Sequence, residues 1–452
     1  MPTSPEPSAP ARTSSARVIA ASLVGTTIEF YDFYIYGTAA ALVIGAVFFP
    51  AASPSSQALN AFLTFGIAFI ARPLGSAFFG HFGDRIGRKA TLVASLLVMG
   101  ISTTLIGLLP GYDTLGTLAA VILCLLRFGQ GIGLGGEWGG AALLATENAP
   151  PGRKALFGMF PQLGPSIGFL LANGLFLILL FGLTDQQFKS WGWRLPFLAS
   201  AFLVVIGLYV RLSLTETPAF ARAMRQSRPV AVPVITLIQG HWRPLLQGSL
   251  SIVVCYTLFY ISTVFTLSYG VSTLHIPRET FLLLLCGAIL FMAAATPIAA
   301  FCADRFGRRP VLLAGSLAAI AAGFVLPPAL GSGSMPALFG FLALALFLMG
   351  ITFAPLGATL PELFPTRLRY TGASLAYNLG GILGASLAPY IAQRLVIGGG
   401  LAWVGYYLSV AAAISFLAVL TMRETIDEDL THFDLTDEGQ AAATSAADAI
   451  KS

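Results

Sequence analysis

The sequence predicts an all-α membrane protein of twelve transmembrane helices in two pseudo-symmetric six-helix bundles, and three observations lead there. Apolar residues make up 56% of the chain and charged residues only 10%, against about 25% charged in a typical soluble domain. Stretches long enough to cross a bilayer, roughly 20 residues each, recur twelve times with short breaks between them. The two halves of the chain also echo each other in sequence.

Length and charge narrow the class further. At 452 residues the chain could hold two or three soluble domains or about a dozen membrane helices, and the pattern along it selects the second. The net charge of +5 could suggest an anionic partner. The basic residues, however, fall in short clusters between apolar runs, which argues for a lipid bilayer and against nucleic acid. The four cysteines, Cys124, Cys255, Cys286 and Cys302, lie within or at the ends of apolar segments without metal-type spacing and read as packing residues. His81, His241 and His275 fall in loops or at span ends and His432 in the tail, so no metal site is expected.

In chain order, residues 1–17 are rich in Pro, Ser and Ala and read as a disordered tail. No cleavable signal is expected, because the first apolar run holds Glu29 and Asp32. Spans are expected near 18–48, 57–82, 89–109, 115–145, 155–182 and 192–212, which make the first bundle (18–212). The longest hydrophilic break follows, a central loop at 213–244. Spans near 245–271, 279–302, 310–330, 336–361, 369–395 and 401–422 make the second bundle (245–422). Residues 423–452 are polar and acidic and read as a solvated tail.

Basic residues set the orientation. With the N-terminus inside, 19 Lys and Arg, Arg211 among them, fall on the cytoplasmic side and 4 (Lys189, Arg194, Arg278, Arg394) on the other. Arg72 and Arg127 remain within the membrane. Basic residues concentrate on the cytoplasmic face, and an even span count places both termini there. A bacterial inner membrane is therefore the expected location.

The internal repeat supports the halves. Gly80-His81-Phe82-Gly83-Asp84-Arg85-Ile86-Gly87-Arg88-Lys89 closes the second span, and Ala300-Phe301-Cys302-Ala303-Asp304-Arg305-Phe306-Gly307-Arg308-Arg309 closes the eighth. Glu147 is echoed by Glu362, and Glu216-Thr217 by Glu424-Thr425, at offsets of 220, 215 and 208 residues for the three pairs. Parallel six-span repeats build one large transporter fold, with the substrate site at the repeat interface near mid-membrane.

The paired D-R-x-G-R-[RK] loops resemble those of the major facilitator superfamily, and the likeness covers nearly the whole chain. Three further stretches are similar to its metabolite:proton symporter family. They are Glu29-Phe30-Tyr31-Asp32-Phe33-Tyr34-Ile35-Tyr36-Gly37; Arg127-Phe128-Gly129-Gln130-Gly131 through Gly135-Gly136-Glu137-Trp138-Gly139-Gly140; and Pro361-Glu362-Leu363-Phe364-Pro365-Thr366-Arg367. The resemblance implies the major facilitator fold and proton-coupled uptake of small metabolites, among them α-ketoglutarate, citrate, shikimate and zwitterionic betaines. The stretches Trp191-Gly192-Trp193-Arg194-Leu195-Pro196 and Tyr370 to Tyr377 are most similar to the shikimate and dicarboxylate members. In the wider superfamily the loop Asp and Arg hold the halves together when the site faces outward. The resemblance carries that gating role to Asp84, Arg85 and Arg88, and to Asp304, Arg305 and Arg308.

A charge near the bilayer centre costs at least about 2.5–3.5 kcal/mol on insertion scales, so each needs a reason. Glu29 and Asp32 stand three residues apart and share one helix face. Two such carboxylates cannot easily both be ionised in a low-dielectric site, which suits them to carrying a proton; Glu137 joins them nearer the span end. The bland alternative is that they pair with Arg72 or Arg127 and hold helices together. Arg127 and Arg72 lie about halfway along their spans and could grip a substrate carboxylate through two parallel hydrogen bonds. Protonating the acid would then free the arginine for substrate.

The second half offers neutral polar groups instead: Tyr256, Tyr260 and Thr263 at helical spacing, with Tyr377 and Asn378 in the eleventh span. Gln130 and Gln162 complete the candidate substrate contacts. For each, interhelix hydrogen bonding is the competing role. The fourth span carries Gly129, Gly131, Gly133, Gly135, Gly136, Gly139 and Gly140, which suits close helix packing. Gly164-Pro165-Ser166-Ile167-Gly168 matches a hydrolase nucleophile pattern, but that pattern needs a strand-turn-helix setting, and here it falls inside an apolar span.

The expected function is a proton symporter importing a small organic anion, a mono-, di- or tricarboxylate, as a monomer. It needs no cofactor beyond the proton gradient, since no phosphate-binding loop occurs. A zwitterion or osmolyte symporter is the alternative, followed by a proton-antiporting exporter. An enzyme would need a clustered nucleophile and base, and none is visible.

Overall fold

The computed structural model describes residues 15–50, 52–86, 88–212, 233–366 and 368–426, and side chains for all of these except 15–18, 54–55, 84–86, 88–89 and 233. The side chains of Asp84, Arg85 and Arg88, the residues Glu216 and Arg367, and most of the two tails fall outside the described residues. Among those described, twelve helices are long and apolar enough to span a bilayer. The first half holds α1 (Ile19–Phe48), α2 (Ser56–Gly83), α3 (Ala90–Leu108), α4 (Thr117–Glu147), α5 (Lys154–Gly182) and α6 (Gly192–Leu212). The second holds α7 (Trp242–Ser272), α8 (Arg278–Phe306), α9 (Arg308–Gly331), α10 (Met335–Glu362), α11 (Arg369–Gly399) and α12 (Leu401–Thr421). Every expected span is present, with ends shifted by at most about four residues. The longest shifts are at the ends of α8, where the helix runs on through Asp304 and Arg305, and of α11, where it runs on through Val396 and Ile397 to Gly399.

The outer surface is apolar. Ile178, Phe202 and Leu417 are 60% to 70% exposed, a surface that only lipid would solvate. Within the spans of the first half, Glu29, Asp32, Arg72, Arg127 and Glu137 turn inward.

The glycines of α4 let it press against α2. A Cβ on Gly131 would stand 2.1 Å from the Ala68 carbonyl oxygen, and one on Gly135 2.1 Å from that of Arg72. Any side chain there would push the Arg72 backbone away. Packing, as expected, is what these residues do.

Two helix interruptions shape the interior. α4 breaks at Gly136, between Thr117–Gly135 and Glu137–Glu147, and α10 breaks at Ala354 and Pro355, between Met335–Phe353 and Leu356–Glu362. A break frees backbone carbonyls, which must be satisfied when buried. The opposite half supplies the donors. Asn378 Nδ2 donates to the Gly135 carbonyl at 3.1 Å, and Gln162 Nε2 to the Phe353 carbonyl at 2.8 Å. Phe353 stands 218 residues after Gly135 and Asn378 216 after Gln162, so the two bridges are copies of one another under the repeat. π-helical turns repeat likewise, at Ala40–Ile44 in α1 and Ile261–Phe265 in α7, with another at Ile382–Ser386 in α11.

Gly307 joins α8 to α9 with φ of +104°, a backbone that glycine alone adopts without strain. This explains the glycine of the second D-R-x-G-R loop. Residues Gly164 to Gly168 lie inside the continuous helix Lys154–Gly182, without a strand-turn-helix setting.

Candidate functional site

The acid-bearing face of α1 is turned fully inward. Tyr31 anchors the helix to α6 by donating to the Pro196 carbonyl at 2.8 Å. Glu29 is 2% exposed and Asp32 0%. Glu29 Oε2 and both Asp32 carboxylate oxygens have no hydrogen-bond partner of good geometry. Glu29 shares its surroundings with Glu137, Arg72 and Arg211, while the hydroxyls of Ser200 and Thr103 lie beside Asp32.

Among the described residues, the three buried arginines of the first bundle are used differently. Arg127 bonds Gln130 Oε1 through Nη1, donates from Nη2 to the Phe65 carbonyl at 3.1 Å, and approaches the Thr64 carbonyl from Nε at 3.5 Å. Its face rests on the Tyr36 ring at 3.8 Å. Gln130 in turn donates to the Asp32 backbone carbonyl and the Thr103 hydroxyl, each at 2.9 Å. Arg72 sits between the Phe33 and Phe69 rings, 4.3 Å from each centroid. Its Nε and Nη2 are buried without a hydrogen-bond partner. Among the described residues, no ion pair joins Glu29 or Asp32 to Arg72 or Arg127.

Arg211 corrects the sequence reading, which counts it among the loop charges. It is only 5% exposed and grips Glu137 through Nη1 to Oε1 at 3.0 Å and Nη2 to Oε2 at 2.8 Å. Ser95 donates to the same carboxylate at 3.2 Å. A clue was present: Glu137 is an intramembrane acid, and Arg211 precedes the end of its apolar run by a single residue.

The second half closes over these groups with aromatic rings. Tyr260 meets Phe65 and Phe69 edge-on at 5.3 and 5.5 Å and stacks on Tyr256 at 6.2 Å. Tyr377 stacks on Trp138 of the opposite half, 4.1 Å apart and nearly parallel at 7°. Trp138 Nε1 donates to Gln162 Oε1 at 2.9 Å. The hydroxyls of Tyr256 and Tyr377 lie beside each other, without a partner of good hydrogen-bond geometry. Two narrow cavities meet at Tyr34 and Tyr260, one also lined by Thr263 and Phe169, the other by Tyr256 and Tyr377. Asn378 and Gln162 instead serve the inter-half bridges, and Thr263 bonds back to the Phe259 carbonyl at 2.7 Å.

Contacts between the halves shut the site at both ends. At one end Asp304 of α8 accepts from the backbone N–H groups of Ala155 and Leu156 at 3.0 and 2.8 Å, capping α5. Arg308 pairs with Asp304 at 3.3 Å and with Glu362 at 3.4 Å. Lys154 of the first half reaches Glu362 at 3.9 Å, and Thr425 donates to it at 2.6 Å. Glu424 caps α9 through the backbone of Arg308 and Arg309, at 2.9 Å each. Arg305 turns outward over the Phe306 ring at 5.3 Å. At the other end Arg278 of α8 pairs with Asp185, after α5, at 2.6 Å. Lys189 and Arg278 hold the Asp185 carboxyl below its ordinary range, the hydrogen bond from Lys189 contributing most.

Two six-helix bundles, joined around a buried cluster of acids and arginines and closed at both ends, define a membrane transporter of the major facilitator class rather than an enzyme. The chain belongs to the sugar (and other) transporter family, whose profile matches residues 18–239 and 243–435. It is 54% identical over 422 residues to the inner membrane metabolite transport protein YhjE of Escherichia coli K12, covering 92% of this chain and 96% of that one. The shikimate transporter of the same organism is 38% identical over 90% of this chain and 94% of its own. Its proline/betaine transporter is 34% identical over 92% of this chain and 84% of its own. Among solved structures, the proton:xylose symporter XylE bound to 6-bromo-6-deoxy-D-glucose superposes with a TM-score of 0.74 at 17% identity, covering 93% of this chain and 98% of that one. At that identity the likeness concerns the fold alone.

Proposed function

We propose that this protein is a proton-coupled symporter that imports a small organic anion across the bacterial inner membrane by alternating access, working as a monomer with both termini in the cytoplasm. The observation that carries this reading is Arg72. It is a buried guanidinium with two free donors, and an unmatched buried cation is costly unless an anion comes to meet it. Glu29 and Asp32 are buried acids that no arginine neutralises directly, and they supply the proton sites. Proton entry at the acids lowers the negative charge competing for Arg72, and substrate then takes its place. The Asp304, Arg308 and Glu362 cluster and the Asp185–Arg278 pair open in turn as the site is exposed to one side or the other.

A betaine or other zwitterion is the second reading, favoured by the aromatic walls, since such rings bind quaternary ammonium groups. Arg72 already occupies the space between Phe33 and Phe69, which turns the preference toward anions. The relatedness to a shikimate transporter supports the same choice. Uptake of labelled shikimate, α-ketoglutarate, citrate and proline betaine, with and without an imposed proton gradient, tests the proposal. Gradient-driven uptake of none of the acids would overturn it.

A further inference from the structure

The number of protons carried with each substrate can be read from the buried charges, given the symporter reading above. Among the described residues the first bundle buries six ionisable acids and arginines: Glu29, Asp32, Glu137, Arg72, Arg127 and Arg211. Arg211 and Glu137 cancel each other through their two parallel bonds. Two arginines then face two acids. The set is neutral when Glu29 and Asp32 are both ionised, and gains one positive charge for each proton it takes up.

The arginines differ in what they can still bind. The donors of Arg127 are directed to Gln130 and two backbone carbonyls. Arg72 keeps Nε and Nη2 free, and these lie on one edge of the guanidinium, the fork that meets a single carboxylate through two parallel bonds. The ring faces at Phe33 and Phe69 cover its flat sides. That edge offers one fork for a carboxylate, and among the described residues of the first bundle there is no second.

We infer that the site accepts one carboxylate for each proton, so that a monocarboxylate bearing hydroxyl groups crosses with Glu29 protonated and no net charge moved. A carboxylate arriving at a neutral cluster would leave an uncompensated charge away from water, which is costly. One proton removes that cost. Glu29 is the acid that shares Arg72 with the substrate. Around it stand Glu137 from α4, Arg72 from α2, Arg211 from α6 and the phenols of Tyr256, Tyr260 and Tyr377. Beyond its first residue, Lys154, α5 carries no ionisable acid or base, and the described part of α3 carries none. Asp32 has the Ser200 and Thr103 hydroxyls beside it and Glu137 as its charged neighbour. The hydroxyls of Tyr256 and Tyr377, which lie beside each other without a partner of good geometry, would receive the polar body of the substrate.

The test uses the full chain in proteoliposomes, with a trapped pH dye and membrane-current recording on the same preparation, challenged with shikimate, α-ketoglutarate and citrate. The expected result is internal acidification with shikimate, no accompanying current, and at least tenfold weaker responses to the two polycarboxylates. Shikimate uptake with inward positive current would mean more than one proton per carboxylate. Equal responses to citrate would mean a second anion subsite. Either overturns the inference while leaving the symporter reading intact. No acidification with any of the acids would sink both. Glu29→Gln should sever acidification from shikimate uptake in counterflow-competent vesicles; acidification retained in that variant rejects Glu29 as the proton-bearing group.

Discussion

Arg211 and Glu137 form a two-pronged ion pair between α6 and α4, at 3.0 and 2.8 Å, inside the first bundle. It leaves the neighbouring Glu29 without a cation of its own. Both Glu137 oxygens are thereby engaged by a cation, whereas Glu29 Oε2 and both Asp32 carboxylate oxygens on α1 have no partner.

Breaking one side of that pair should be worse than removing both. Glu137→Gln or Arg211→Gln leaves a lone buried charge, at a cost of about 3–5 kcal/mol, while the double variant Glu137→Gln/Arg211→Gln should recover much of the loss. Thermal unfolding of detergent-purified protein, followed by size-exclusion chromatography, reads this order directly. Additive losses would show that the two residues act independently.

Asp32→Asn should slow accumulation driven by a pH gradient while sparing the exchange of internal for external substrate, because Glu29 keeps the co-transported proton and Asp32 serves as its relay. The amide keeps the shape but holds no titratable proton. Uptake assays at two external pH values check this, and unchanged accumulation would take Asp32 out of the proton path.

Arg72→Lys should weaken binding of carboxylate substrates by at least about tenfold, because an ammonium cannot present two donors in a planar fork. The loss should be smaller for neutral analogues. Competition against labelled shikimate measures both, and equal losses would place Arg72 in a packing role.

Asp304→Asn should loosen the closure between α8 and α5. A carboxylate accepts both N–H groups at the α5 terminus and is favoured by the helix dipole; the amide can use only one oxygen. A cysteine placed at Gly158, which packs against Gly357 across the halves, should then react faster with a charged thiol reagent. An unchanged rate would separate Asp304 from closure.

Sequence legibility followed a physical line. The spans could be read because hydropathy over 20 residues overwhelms local detail, and the repeat could be read because Asp304 and Arg308 keep the pattern of Asp84 and Arg88. Intramembrane acids and arginines could be found because each is expensive in lipid. Their partners could not. Whether Arg127 meets Asp32 or the carbonyls of Thr64 and Phe65 depends on helix rotation of a few tens of degrees, which periodicity does not specify. Arg211 was missed because a charge near a span end reads the same whether it turns outward to lipid headgroups or inward to an acid. Asn378 and Gln162 make interhelix hydrogen bonds, the role weighed against substrate contact for both; which carbonyl each meets depends on the helix breaks at Gly136 and Pro355, which periodicity does not specify.

The π-helical turns at Ala40–Ile44 and Ile261–Phe265 begin 221 residues apart, in the opening helix of each half, and flank the cavity shared by Tyr34 and Tyr260. Each stores one surplus residue within an otherwise regular coil. Moving that surplus along by a position would swivel the side chains it passes by about 100°, re-aiming a few wall residues while the rest of the helix keeps its seat. Duplication would then have handed both bundles the same adjustable joint. Spin labels on either side of each turn should report rotation there, and rigid distances throughout the cycle would show the joints to be frozen.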